Sequence, residues 1–129
     1  MKFEAVLFDL DGTLLDSIED LTDSMNIVLD GFGFPSHDAE ACKHFVGDGV
    51  EMFALRALPE NQRDKAMVAQ CAAEMRAEYR KRWSLKTRPY DGIPELLDDL
   101  TLRNLKLAVL SNKPEESTKE MVAELLSKW

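Results

Sequence analysis

No apolar run in this 129-residue chain approaches the length of a bilayer-spanning helix, which removes the membrane as its organising environment. Positive charge is also scarce: 16 Lys and Arg stand against 24 Asp and Glu, a formal net charge of −8. Such a surface repels phosphate backbones and anionic lipid, so neither nucleic acid nor a membrane is expected as partner. There are only two cysteines, Cys42 and Cys71, in no recognisable metal or redox spacing. They read as buried thiols in a reducing, cytoplasmic setting. Met1-Lys2 runs directly into a strand-like segment, which predicts that no signal peptide is present. Repeats and low-complexity tracts are missing, and 45% apolar with 31% charged residues fits a soluble globular chain.

What is present is concentrated near the start. Ala5-Val6-Leu7-Phe8 is short and β-prone, and it runs into Asp9-Leu10-Asp11-Gly12-Thr13, a strand-to-loop signal. Side chains two apart on a strand point to one side, so Asp9 and Asp11 are expected to converge at the strand's carboxyl end. In an open α/β sheet that is the edge where ligands bind. Two neighbouring carboxylates repel unless a cation or a proton stands between them, which implies a divalent metal, a shared proton, or both. A purely structural role as turn and helix caps is disfavoured, because Asp16 and Ser17 already supply a cap.

A second apolar strand is expected at Leu105–Leu110, followed at once by Ser111-Asn112-Lys113-Pro114 and a helix-like stretch. Taken alone, those four residues read as a polar β-to-α turn. Between the two strands the pattern is helical. Ile18, Leu21, Met25, Val28 and Phe32 recur at helical spacing, with Ser17 as candidate cap and Gly31/Gly33 as the stop. Val68, Ala72, Met75, Tyr79 and Trp83 form a second stripe. Shorter helices are expected over 38–45 and 50–58, and a further one from Gly92-Ile93-Pro94 to about Asn104.

Asp9-Leu10-Asp11-Gly12-Thr13-Leu14 resembles the first motif of the haloacid dehalogenase-like hydrolases, and its extension Leu15-Asp16-Ser17 resembles the phosphoglycolate phosphatase branch. The resemblance implies a phosphomonoester hydrolase working through an aspartyl phosphate. Asp9 takes the nucleophile's position and Asp11 that of the acid/base, with both as ligands of Mg2+, Asp9 through its carboxylate and Asp11 through its backbone carbonyl. A carboxylate suits the first role, since it splits one difficult hydrolysis into two easier steps. Ser111 then falls where the family's second motif places a phosphate-binding hydroxyl. Asn112 and Lys113 match the Asn-Lys that follows it, and Gly12 and Thr13 complete the expected substrate contacts. True dehalogenases lack the second Asp, and P-type ATPases and phosphoserine phosphatases carry other residues after the first. A sugar-phosphate mutase or a pyrophosphatase of the same fold stays open as an alternative.

By the same resemblance, residues 16–84 form an inserted helical cap, and residues 1–15 with 85–129 form part of an α/β, Rossmann-like parallel-sheet core. Within the cap, Val46-Gly47-Asp48-Gly49 resembles a loop that usually reads Val-Gly-Asn-Gly, which makes Gly47 and Gly49 candidate substrate contacts. A loop between helices that needs positive φ explains the same glycines. The third-motif Lys or Arg and the fourth-motif acidic segment find no match after Lys113. Two strands leave both outer edges of a parallel sheet open. The chain therefore reads as the amino-terminal part of a larger enzyme of a small phosphorylated metabolite, or as a non-catalytic fragment or assembly module completed by another chain.

Overall fold

The computed structural model describes residues 2–129 and divides into two compact units. One combines Met1–Asp16 with Arg88–Trp129, and the other is Ser17–Thr87.

The first unit is α/β. Strand β1 (Ala5–Phe8) pairs in parallel with β4 (Lys106–Val109), in a register that sets Ala5 against Lys106 and Phe8 against Val109. Parallel pairing demands a long crossover. The connection from β1 to β4 runs through the entire second unit and helix α5 (Ile93–Leu102). Pro94 opens α5, where its missing N–H costs nothing. Helix α6 (Glu115–Leu125) follows β4. Leu10, Leu14, Leu15, Leu97, Met121 and Leu126 are the buried apolar residues of this unit.

Both paired strands show the same alternation. Val6, Phe8, Leu107 and Val109 are half-buried, whereas Ala5, Leu7, Lys106 and Ala108 are exposed. The sheet thus has one sheltered face and one open one, with Leu7 68% exposed. Among the described residues each of these strands has a single partner.

Two further strands differ from the sequence expectation of a two-strand chain. Leu15–Asp16 (β2) and Arg88–Pro89 (β3) form a two-pair antiparallel ladder, Leu15 against Pro89 and Asp16 against Arg88. Two residues carry no hydrophobic period, so a segment this short has no signature to read.

The second unit is helical. Helix α1 (Ile18–Gly31) packs chiefly against α4 (Lys65–Arg82), which also receives α3 (Val50–Ala57). Helix α2 (Ala39–Phe45) and a 3₁₀ turn at Glu60–Gln62 complete it. The expected stripes supply part of the core: Leu21, Met25 and Val28 from α1 cluster with Ala72 and Met75, joined by Leu29, Phe53, Ala54 and Cys71. Ile18, Phe32, Val68 and Tyr79 pack against the cluster partly buried, and Trp83 is not a member of it.

Helix ends follow local chemistry. Asp38 caps α2 by accepting the Ala41 amide at 2.8 Å. Ser17 occupies the cap position of α1 but its side chain makes no capping bond, so the expected cap is positional only. At the other end Gly33, at φ +77°, lets the Phe34 amide reach back to Leu29 O at 2.9 Å. A left-handed residue followed by this five-residue return is the Schellman stop, and glycine takes it without the Cβ clash.

A buried carboxylate closes the helical unit on itself. Asp20, 1% exposed, accepts the Lys86 amide at 2.9 and 3.1 Å through its two oxygens. Its Oδ2 also accepts the Thr87 amide at 2.9 Å and the Thr87 hydroxyl at 2.7 Å. Residues 85–87, expected with the core, are thereby grouped with the helical unit.

Candidate active site

Because β1 and β4 are parallel and in register, both end at the same edge, where Leu110 N donates to Phe8 O at 2.8 Å. The chain leaves β1 through Asp9 and folds around Leu10. The Leu10 carbonyl accepts the amides of Thr13, Leu14 and Leu15 at 3.3, 3.0 and 3.0 Å, and the Leu10 side chain is fully buried. Gly12 turns the chain at φ +80° and donates to Leu15 O at 2.9 Å. A residue with a Cβ is strained at that φ.

This turn corrects one step of the sequence reasoning. Strand β1 stops at Phe8, so Asp11 is placed by the turn around Leu10 and not by strand alternation with Asp9. Asp9 is exposed, and its Oδ1 accepts the Leu10 amide at 2.8 Å. Asp11 is half-buried, while Gly12 and Thr13 are exposed.

The second strand delivers Ser111, Asn112 and Lys113 to the same edge. Ser111 Oγ accepts the Lys113 amide at 3.1 Å, which folds the turn before α6. Lys113 then directs its ammonium to Asp11 Oδ2 at 3.1 Å, with only 8% of its side chain exposed. Burial pushes the Lys113 ammonium below its ordinary pKa, and the Asp11 charge acts in the opposite direction. The edge therefore gathers two carboxylates, a hydroxyl and a sheltered cation. Of these, the hydroxyl and the ammonium are groups that can donate to an anionic oxygen, and the carboxylates are groups that can attack as nucleophiles, exchange a proton or bind a cation.

Gly47 and Gly49 lie in the helical unit, in the loop between α2 and α3, at φ +115° and +92°. Asp48 between them is paired with Arg56 at 2.8 Å, so its carboxylate serves this loop. The need for positive φ accounts for both glycines.

Asp9 and Asp11 offer hard oxygen donors, which suit a hard divalent cation. They are two side chains only. Among the described residues no group of three or more His, Cys, Asp or Glu is arranged to hold a metal. No helix among them is long and apolar enough to cross a membrane.

The sequence profile described as haloacid dehalogenase-like hydrolase matches residues 6–127, spanning both strand ends and the helical insertion. The chain belongs to the haloacid dehalogenase-like hydrolases. Within that family it is similar to the phosphoglycolate phosphatase of Thiobacillus denitrificans, 32% identical over 121 residues that cover 92% of this chain and 53% of the relative. It also resembles the N-acetylmuramic acid 6-phosphate phosphatase of Pseudomonas aeruginosa, 33% identical over 114 residues, covering 88% of this chain and 50% of that one. A solved structure from Lactobacillus delbrueckii, provisionally described as a phosphoglycolate phosphatase, superposes with a TM-score of 0.89 at 31% identity. That match covers 97% of this chain and 61% of the solved one. The chain spans about half the length of the curated relatives it matches.

The Asp20 clasp on Lys86 and Thr87 was not anticipated from sequence. A carboxylate that binds backbone amides 66 and 67 positions away leaves no local pattern.

Proposed function

We propose that this chain provides the nucleophile end of a magnesium-dependent phosphomonoester hydrolase that handles a small phosphorylated metabolite, with 2-phosphoglycolate the first candidate. The observation that carries the reading is the meeting of two loops at one sheet edge. Asp9-Leu10-Asp11-Gly12-Thr13 comes from β1 and Ser111-Asn112-Lys113 from β4, joined by the 3.1 Å contact of Lys113 with Asp11. Relatives named phosphoglycolate phosphatase and N-acetylmuramic acid 6-phosphate phosphatase support the reaction class.

In this reading an Asp9 carboxylate oxygen attacks phosphorus while the bond to the substrate's alkoxide oxygen breaks. Asp11, carrying a proton, gives it to that oxygen, and the alcohol departs. The resulting aspartyl phosphate is hydrolysed when Asp11, now a carboxylate, takes a proton from water. The hydroxide attacks phosphorus, the bond to Asp9 breaks, and inorganic phosphate leaves with Asp9 restored. The Ser111 hydroxyl donates to a phosphate oxygen, while the Gly12 and Thr13 amides, bonded to Leu15 O and Leu10 O, hold the turn that borders the phosphate. Lys113 moves from Asp11 to the phosphate on binding, which releases Asp11 to carry its proton. A divalent cation held by the Asp9 carboxylate and the Asp11 backbone carbonyl would offset the charge of phosphate and carboxylates.

The helical unit serves as a cap that excludes water and selects the substrate. A further polypeptide segment would pair the open sheet edges with strands and lay helices over the open face around Leu7. The Asp9 carboxylate and the Asp11 carbonyl fall short of a complete cation shell, so turnover depends on that segment as well.

The test measures phosphate release from 2-phosphoglycolate and a panel of sugar phosphates with Mg2+. The chain is assayed alone and mixed with a polypeptide comprising the unmatched remainder of the Thiobacillus relative. Release that needs both polypeptides and disappears in Asp9→Asn supports the reading. Release that persists in Asp9→Asn, or no release from any phosphomonoester by a demonstrated complex, refutes it.

A further inference from the structure

A cavity of about 320 Å³ lies wholly within the helical unit, lined from the segment that leads into α2, the end of α2, and the chain from the end of α3 to Arg63. That volume is at the low end for small-molecule sites and suits a ligand of amino-acid size. Pro35, Phe45, Leu58 and Pro59 give it apolar walls. The walls are held in place by bonds within the unit. Asn26 brackets the His37 backbone, its Nδ2 donating to His37 O at 2.7 Å and its Oδ1 accepting the His37 amide at 2.9 Å. The His37 ring then crosses to the other wall: Nε2 donates to Ala57 O at 2.7 Å, while the ring meets Phe45 edge-on, centroids 5.0 Å apart. A cavity braced in this way loses little freedom when it is filled.

Three charged side chains line the cavity, and they are not equivalent. Arg56 is already engaged, with Asp48 at 2.8 Å and with Phe45 O at 3.2 Å. Arg63 donates to two backbone carbonyls, Leu58 O at 2.9 Å from Nε and Arg56 O at 3.3 Å from Nη2. Those bonds orient its guanidinium and leave it donors to spare, with no carboxylate partner among the described residues. The exposed Glu60 carboxylate takes part in no hydrogen bond or ion pair among them. Glu60 opens the 3₁₀ turn and Arg63 closes it, a spacing at which side chains stand on one side, yet the two are not paired with each other.

We propose that this cavity is a binding site for a free α-amino acid with an apolar side chain. The ligand's carboxylate meets the Arg63 guanidinium, its ammonium meets the Glu60 carboxylate, and its side chain fills the space between Pro35, Phe45 and Pro59. Opposite charges on one side of a turn, beside an apolar recess, complement a zwitterion that carries an apolar group. None of these residues belongs to the strand-edge loops and the test reads no turnover, so the site stands or falls apart from the phosphatase reading.

The experiment titrates the full ¹⁵N-labelled chain with L-phenylalanine and with analogues that each lack one feature: 3-phenylpropionate the ammonium, phenethylamine the carboxylate, glycine the side chain. L-phenylalanine should shift the Ala57, Leu58 and Arg63 amides saturably, with a dissociation constant on the order of millimolar, as befits so small a ligand. Each analogue should bind at least about threefold more weakly, the scale of one solvent-exposed charge pair or more. Glu60→Gln should weaken L-phenylalanine by about threefold and leave 3-phenylpropionate unchanged, whereas Arg63→Gln should weaken both and leave phenethylamine unchanged. Should Arg63→Gln fail to fold, Glu60→Gln decides alone, because that side chain is exposed and bonds to nothing in the unit. No saturable shift at those amides by about 50 mM L-phenylalanine overturns the proposal. So does 3-phenylpropionate binding as tightly as L-phenylalanine, or unchanged L-phenylalanine binding in Glu60→Gln.

Discussion

The Lys113 ammonium stands 3.1 Å from Asp11 Oδ2, and the two side chains are unequally sheltered, 8% and 25% exposed. This pair joins the loop after β1 to the loop after β4, so it braces the candidate site before any ligand arrives. The unequal burial makes its two halves unequal under mutation. Removing Asp11 takes a carboxylate away from a nearly buried cation, whereas removing Lys113 leaves a carboxylate that water still reaches.

Asp11→Asn should therefore cost about 2–3 kcal/mol of stability, and Lys113→Met no more than about 1 kcal/mol. Urea denaturation of both variants checks the asymmetry. Equal losses would show that the pair is solvated on both sides.

The Cys71 thiol gives a pH prediction of definite sign. Burial, with the Glu74 charge adding to it, pushes this thiol from 9.0 up to about 11. Its folded-state pKa is raised, so the stabilising contribution is fully present below pH 9 and is lost as pH rises through about 11. The full contribution is roughly 2–3 kcal/mol. Between pH 8 and pH 10.5 the parent chain should lose more stability than Cys71→Ala, as read from urea midpoints under reducing conditions. An identical pH dependence in both would contradict it. Cys42 is raised for the same leading reason and contributes in the same direction to both proteins.

Much of this architecture was legible because the informative segments are short and apolar or long and periodic. Ala5–Phe8 and Lys106–Val109 sit where β-prone runs met polar turns, and parallel pairing followed from the helical length between them. The stripes through Met25 and Met75 became core because helical spacing puts them on one face. What escaped was non-local or too brief to show a period. The β2–β3 ladder has two residues per strand, and the Asp20 clasp joins distant parts of the chain through backbone amides. In the site, residue types were readable while their placement was not. Nothing in Asp9-Leu10-Asp11 says that Leu10 O will gather three amides and carry Asp11 off the strand. Lys113, read as a charge for the substrate, is also paired with Asp11.

The open sheet face predicts association. Leu7, 68% exposed, lies beside Ala108 on the uncovered side, with Phe3 and Leu110 each 72% exposed nearby in sequence. Light scattering of the isolated chain should show mass increasing with concentration, and Leu7→Lys should reduce it at a stability cost within about 0.5 kcal/mol. A monodisperse monomer at every concentration, with protected β1 amides, would show that this chain needs no cover.

Calorimetric titration of the isolated chain with Mg2+ should give binding on the order of millimolar or weaker, because Asp9 and Asp11 leave most of an octahedral shell to water. Asp9→Asn should weaken it further. Micromolar one-to-one binding would mean that donors beyond Asp9 and Asp11 complete the shell.

The most direct test of the phosphatase account is acid-quench trapping of phosphate-labelled substrate on the complemented complex, followed by mapping of the labelled residue. The account predicts a hydroxylamine-sensitive acyl phosphate on Asp9 that is lost in Asp9→Asn and persists longer in Asp11→Asn, where its hydrolysis is slowed. Label on Ser111 or any residue other than Asp9, or turnover in Asp9→Asn equal to that of the parent, would contradict it.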